Sequence, residues 1–485
     1  MKILSIPLLC ASLLLTIGLS AHAQPVPVSI TVQSTPRQTF AGLGTSLGNW
    51  GMDYQKLQPT ERAQMSKLLW GDLKMKTLRL WLNLNEYAPT SQDRTTANFR
   101  ARYIDSGIIA DARKNGVVHL LLAPDGAPDF LKVKREGGGS DFAIPDDKLA
   151  DYAGLIAEFI AQIQRETGIL IDVTGFQNEP NDLDRLAPDQ MAPLVKFLRA
   201  ALDGRGLKTV QLIGPESANV DGIFYEALDK LRADPQAWQA LSGIASHSYA
   251  MGATKEGTHR IEDAQGKLTK SYWMTEASAN GAEVEGDTLR AASLASRFLS
   301  DMNQGVTHWV HFLGFEVPDP KDNATRILAF QNAPFRLTTF QKYWTYHQLS
   351  ATFDVGATFR YCTSSLDGDM VWTYGKKPHL NASAARNRDG SWSIALSNFT
   401  SPAFNDNTDD KSGPTGNGYE NGFKAQTYMV KVVVPELATA GQKRFKVMRS
   451  QSNGVEKAEG NVEMHAGEIE IPVIGPLELL TLRSP

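Results

Sequence analysis

The sequence predicts an α/β protein: a (β/α)8 TIM barrel with an attached C-terminal all-β sandwich domain. Three observations carry that prediction. Short apolar runs alternate with amphipathic helical patterns over residues 40–350, the signature of repeated βα units around a parallel sheet. Eight such runs occur, about 28 to 55 residues apart, which is the length of a strand, a loop and a helix. From residue 351 to 485 the helical period gives way to short β-rich runs. A doubly wound open sheet is the alternative arrangement for residues 40–350.

Residues 1–23 are expected to be a signal peptide. Lys2 precedes an apolar stretch at 3–19 broken by Pro7 and Gly18, and Ala21-His22-Ala23 supplies small residues ahead of cleavage at Gln24. An uncleaved anchor would need about 17 to 20 unbroken apolar residues. Pro7-Leu8-Leu9 lacks the small side chains that precede a lipidated cysteine, so Cys10 is not read as one. Secretion or periplasmic export is therefore expected, with no membrane association after cleavage. Of the 2 cysteines, only Cys362 would remain, so the core must hold the chain without an internal disulfide.

With 49 basic and 53 acidic residues, the net charge is −4, and no long run of like charges occurs. That balance excludes nucleic acid as the main partner, because phosphate backbones need a surplus of Lys and Arg on one face. At 42% hydrophobic and 9% aromatic residues the chain can bury a large core.

The candidate barrel strands are 39–44, 77–82, 117–123, 171–177, 209–214, 243–248, 271–275 and 307–313. The clearest helix has Leu155, Ile156, Phe159, Ile160 and Ile163 on one face and ends at Gly168. Met191, Leu194, Val195, Leu198 and Leu202 mark the next. In the side domain, strands are expected at 391–398, 428–435, 444–449 and 468–473. Between them, 400–423 is crowded with Asn, Asp, Gly, Ser and Thr and reads as a solvated loop rather than as a calcium site built on Asp406, Asp409 and Asp410.

In a (β/α)8 barrel the chemistry sits where strands end, at the C-terminal face. Strand four runs into Phe176-Gln177-Asn178-Glu179-Pro180, and strand seven into Tyr272-Trp273-Met274-Thr275-Glu276. Glu179 and Glu276 thus converge across the barrel mouth. Two facing carboxylates suit glycosidic bond cleavage: one protonates the departing oxygen while the other attacks the anomeric carbon or activates water.

Asn178-Glu179-Pro180 and Trp273-Met274-Thr275-Glu276 resemble the acid/base and nucleophile motifs of clan A glycoside hydrolases, most closely family 30. Phe40-Ala41-Gly42-Leu43-Gly44-Thr45-Ser46 resembles that family's glycine-rich first strand, and the segment from Tyr343-Trp344 to Gly356-Ala357 its passage into a side β-sandwich; the resemblance also implies that residues 24–39, ahead of the barrel, form a leading strand that joins this sandwich. The resemblance implies a secreted, cofactor-independent retaining β-glycosidase acting on a β-linked glycan. It further implies Glu179 as general acid/base, Glu276 as nucleophile, and Asn178 as the residue holding the sugar 2-hydroxyl. Arg79 would favour the charged form of the nucleophile, and His247 and Tyr249 would be the clan's strand-six pair. Trp50, Trp81, Trp273 and Trp309 are candidates for subsite walls, since apolar sugar faces stack on aromatic rings. The chain departs from the family after strand three, where Asp125-Gly126 replaces expected bulk, and at Trp81-Leu82-Asn83-Leu84-Asn85-Glu86 after strand two. Sugar, linkage and endo or exo action are therefore open, with a lean to xylanase-like or β-1,6-glucanase/galactanase-like endo-hydrolases. A monomer is expected.

Other readings have less support. Gly44-Thr45-Ser46-Leu47-Gly48 fits a serine-hydrolase elbow but comes too early in the chain. His308 and His311, an odd number apart on a strand, face opposite ways and would not share a metal. A catalytically silent carbohydrate-binding protein would not need both carboxylates.

Overall fold

The computed structural model describes residues 24–47, 51–134, 142–183, 185–279, 281–284, 286–373, 377–401 and 424–485. The 1–23 leader, Trp50, and the loop aspartates Asp406, Asp409 and Asp410 lie outside them.

Eight parallel strands close into a barrel in chain order. They are Gly42–Leu47, Thr77–Asn83, His119–Gly126, Val173–Thr174, Gln211–Ser217, Gly243–His247, Ser271–Glu276 and His308–Phe312, strands one to eight below. Their ends differ from expectation by up to three residues, and at two strands the difference has a clear local reason. Strand one begins only at Gly42, because Thr39 ends the leading strand Val26–Thr39. Gly42 makes the turn between them at φ 129°, where a Cβ would lie 2.6 Å from Lys76 Cγ. Strand four keeps a two-residue ladder, because the chain leaves it at Gly175, where a Cβ would lie 1.8 Å from Glu216 Oε2.

The helices pack their apolar faces on the outside of the barrel. Helix Leu149–Thr167 buries Leu155, Ile156, Phe159, Ile160 and Ile163, and Gly168 at φ 73° ends it in the left-handed conformation. Each of those side chains stabilises the fold by about 1.5 to 3 kcal/mol through burial. Inside the barrel, Leu121, Val173, Ile213, Ala245 and Trp273 form a separate plug below the mouth. After strand eight comes a small three-stranded sheet, Phe315–Glu316, Leu328–Asn332 and Phe335–Thr339, that sequence patterning did not anticipate.

The side domain is a closed sheet of nine strands. The leading strand runs parallel to Tyr428–Val433 and antiparallel to Thr358–Ser364, so the start of the described chain completes the sheet of its last third. Helix Thr288–Asn303 is buried from Arg290 to its end between the two bodies. On its polar side, Ser383 Oγ donates to the Leu299 carbonyl at 2.7 Å, and Asn303 Nδ2 donates to the Cys362 carbonyl at 2.8 Å. Among the described residues, no helix is long and apolar enough to cross a membrane.

Candidate active site

Strand two alternates: Leu78, Leu80 and Leu82 join the outer core, which turns Arg79 and Trp81 into the barrel mouth. Arg79 is fully buried, and its guanidinium serves three acceptors from three other strand ends. It donates to Glu276 Oε1, to Asn178 Oδ1 at 2.9 Å and to Glu216 Oε1 at 3.2 Å. The Trp81 ring lies under this cation, 4.7 Å from its centre.

Glu276 reaches the mouth through an irregularity. Met274 packs outward in the main core while Trp273 points into the barrel, so strict alternation would turn Glu276 outward. The ladder with strand six slips between Met274 and Glu276, setting Glu276 opposite His247 and facing inward. Tyr249 donates to its Oε2 at 2.7 Å.

Glu179 adopts φ 44°, a left-handed conformation that costs a non-glycine residue about 1 to 3 kcal/mol and is found where surrounding structure enforces it. Its backbone N–H donates to the Glu216 carbonyl at 3.1 Å. Its Oε1 lies 3.0 Å from His247 Nδ1, and the same nitrogen is 3.8 Å from Glu276 Oε2. One carboxylate oxygen of Glu179, one of Glu276 and a ring nitrogen of His247 all lie within 4.8 Å of one another.

Burial works against the charge of Glu179, but the hydrogen bond and charge of His247 outweigh it and hold this carboxyl below the usual range. His247 is raised in turn: burial opposes its charge, and the Glu276 and Glu179 carboxylates overcome that. The pair therefore holds its proton on the imidazole side. Burial and the neighbouring Glu276 charge push the Tyr249 hydroxyl far up, so it stays a donor.

Asn178, Glu179, Arg79, Glu276, His247, Tyr249 and Trp81 thus meet at one mouth. Trp273 and Trp309 do not, which corrects the expectation that they wall a subsite. Trp273 sits deep in the barrel, stacked on His308 at 3.4 Å between ring centres. Trp309 faces the helices, its indole N–H donating to Asp301 Oδ2 at 2.7 Å. Both lie too early on their strands to reach the rim, and Trp309 also has the outward parity.

Two residues that sequence reasoning did not assign belong to the site. Glu216, at φ 64° and fully buried, completes the Arg79 cluster, and burial raises its carboxyl against the pull of Arg79. The signal was available, since Gly214-Pro215-Glu216 is another strand running into a carboxylate. Asp125 lies beside Asn178, taking hydrogen bonds from Asn178 Nδ2 at 3.3 Å and Arg185 Nη1 at 2.8 Å. Burial raises its carboxyl too, opposed by Arg185.

Ser46 accepts a hydrogen bond from Trp81 Nε1 at 3.0 Å and has no histidine bonded to it among the described residues, which removes the serine-hydrolase reading. His308 stacks inside the barrel while His311 bonds Tyr346 and the Thr325 carbonyl on the outside. Glu179, His247 and Glu276 are close enough to share an ion, but the Arg79 guanidinium already supplies the positive charge on Glu276.

No protein-family model matches the sequence, and no curated protein sequence matches it. Solved structures do match in fold. The catalytic domain of GH30 xylanase C from Talaromyces cellulolyticus superposes with a TM-score of 0.66 at 15% identity, covering 94% of this chain and 100% of that one. SrfJ from Salmonella typhimurium gives 0.67 at 15% identity, over 94% and 92%. An endo-β-1,6-glucanase gives 0.59 at 16% identity, over 95% and 94%. The chain has the fold of glycoside hydrolase family 30 enzymes.

Proposed function

We propose that the protein is a retaining O-glycosyl hydrolase that cleaves a β-linked glycan by double displacement, with Glu276 as nucleophile and Glu179 as general acid/base. The observation that carries this reading is the spacing and unequal company of the two carboxylates. One oxygen of each lies within 4.8 Å of the other, near the ~5 to 5.5 Å of retaining enzymes and short of the ~6.5 to 9.5 Å that admits an attacking water. Glu276 accepts hydrogen bonds from Arg79 and Tyr249 and is 5% exposed. Glu179 is 21% exposed and shares its hydrogen bond with a titratable imidazole, the arrangement a proton-transferring group needs.

In the first step a Glu276 oxygen bonds to the anomeric carbon as the glycosidic C–O bond breaks. The departing oxygen takes a proton from Glu179, which draws it from His247 Nδ1 across the 3.0 Å contact and is left a carboxylate. In the second, Glu179 accepts a proton from water, the water oxygen bonds to the anomeric carbon, and Glu276 is released as a carboxylate. Asn178, anchored through Oδ1 by Arg79, keeps an amide donor for the sugar 2-hydroxyl.

We assign the substrate to the β-linked polysaccharides, cleaved internally, a reading supported by the xylanase and β-1,6-glucanase among the structures of like fold. The leader pattern at 1–23 supports export, with cleavage before Gln24. The test is incubation of the purified chain with xylans, β-1,6-glucan and β-1,6-galactan, followed by separation of the products. A ladder of oligosaccharides from one polymer, absent with Glu276→Ala, is expected. A single short product would replace endo with exo action, and binding without turnover on any linkage would replace the enzyme with a binding protein.

A further inference from the structure

We infer that Asp125 determines specificity by accepting a hydrogen bond from the sugar 3-hydroxyl, so that the unit bound next to Glu276 must carry free 2- and 3-hydroxyls. This rests on the glycosidase reading above and narrows its substrate to neutral glycosyl units unsubstituted on that edge.

The exit of strand three carries little bulk there. Where aromatic bulk is expected, the chain has Asp125-Gly126, and Gly126 cannot be enlarged, because a Cβ would lie 2.7 Å from Asn83 Oδ1. Asn83 is itself committed, capping the short helix Leu84–Tyr87 through the N–H groups of Asn85 and Glu86. The side chain of Asp125 is 35% exposed, next to Asn178, which is buried.

Its two oxygens are used differently. Oδ1 takes both protein hydrogen bonds, from Arg185 Nη1 and Asn178 Nδ2. Among the described residues, no hydrogen bond reaches Oδ2. Arg185 is held in turn by the Asn178 carbonyl at 3.3 Å and by the Phe142 ring at 4.9 Å, so the pair is fixed in position before substrate arrives.

The order of groups then follows the order of hydroxyls. Arg79 lies on one side of Asn178 and Asp125 on the other. With the 2-hydroxyl on Asn178 and the anomeric carbon at Glu276, the next hydroxyl around the ring falls to Asp125. A carboxylate paired with Arg185 accepts and does not donate, so it favours a hydroxyl and disfavours an ether or ester, which would leave it without a partner. Arg185 offsets its charge, which suits a neutral sugar.

The test uses the purified full chain and its Asp125→Ala and Asp125→Asn forms on the 2,4-dinitrophenyl β-glycosides of xylose, glucose and galactose and on their 3-deoxy counterparts. The readout is the ratio of kcat/KM for each parent glycoside to that for its 3-deoxy analogue; comparing enzyme forms cancels intrinsic reactivity. This ratio is expected to be about ten- to a hundred-fold larger for the wild type than for Asp125→Ala. A purely structural role would lower both substrates alike, and equal ratios in all forms would overturn the inference while leaving the glycosidase reading intact. Should Asp125→Ala fail to fold, Asp125→Asn supplies the same comparison. If the wild type turns over none of the parents, leaves no glycosyl adduct on Glu276 by mass spectrometry and releases no product from the polysaccharides above, the glycosidase reading falls and the inference with it.

Discussion

Arg79 and Glu216 meet at 3.2 Å with neither side chain reaching solvent. The same guanidinium holds Glu276 and Asn178, so one planar cation sets the relative positions of groups from strands four, five and seven. Lysine carries the charge but not the fork, and cannot span three acceptors. Arg79→Lys is expected to lose about a hundred-fold or more in kcat/KM. Stability should fall by about 3 to 5 kcal/mol, because Glu216 is left in a dry site without its partner. Steady-state kinetics and urea unfolding of the same preparation check both; retention of near-normal activity would mean that charge alone suffices.

Tyr249 contributes one hydrogen bond to Glu276, at 2.7 Å, and its ring packs edge-on against His247 at 6.0 Å. Tyr249→Phe removes the first and keeps the second. A hydrogen bond to a charged group is worth about 1.5 to 3 kcal/mol, so kcat should fall about ten- to a hundred-fold. The melting temperature should move by no more than a few degrees, which circular dichroism would measure. A large loss of stability with unchanged kcat would make Tyr249 a packing residue.

Apolar periodicity alone marked all eight barrel strands, since each is buried on both faces and reads as a continuous run. The ends were less legible because contacts far along the chain define them. Strand four stops where Gly175 meets Glu216, and Glu276 faces inward because of a ladder slip that no sequence period records. Helix Thr288–Asn303 makes the same point. Its Arg290, Ser293, Ser296, Arg297, Ser300 and Asp301 are polar, yet all are buried; Ser296 bonds Asn381 of the side domain, Arg297 bonds the Ser278 carbonyl and Asp301 bonds Trp309 of the barrel. The two mouth carboxylates were found because a strand running into an acid is a local pattern; Glu216 carried that pattern too, and was passed over because the two-acid chemistry did not call for a third. Trp273 and Trp309 were misassigned because nearness to a strand end in sequence does not fix depth or parity in the barrel.

The unequal roles of the two acids can be separated by small nucleophiles. Glu179→Ala should retain glycosylation of Glu276 by an activated aryl glycoside and stall before hydrolysis, for want of a base. Azide needs no base, so it should restore turnover and give a glycosyl azide of retained configuration. Glu276→Ala should be inactive on the same substrate, and any azide product it forms should have inverted configuration. Nuclear magnetic resonance of the products distinguishes these; inverted products from the wild-type enzyme would exclude a covalent intermediate.

Acid stability offers an independent test of the barrel interior. His308 stacks on Trp273 with the rings 4° from parallel, and burial, helped by His119, pushes its pKa down to about 3. In the unfolded chain a histidine titrates near 6.5. The folded-state value is therefore depressed, so the unfolded state takes up the proton first, and the contribution is whole above pH ~6.5 and lost progressively as pH falls towards ~3. Between those limits it falls by about 1.4 kcal/mol per pH unit. Glu283 and Glu316, raised by burial to about 7, act with the opposite sign, since folding favours their protonated forms. Comparison with His308→Phe, which can keep the stack and cannot titrate, cancels those groups. Unfolding free energies of the two proteins, measured from pH 7 to 4.5, should converge as pH falls, the wild type losing about 1.4 kcal/mol per unit more below pH ~6. Parallel curves would mean that His308 takes up its proton in the folded barrel as readily as in the unfolded chain.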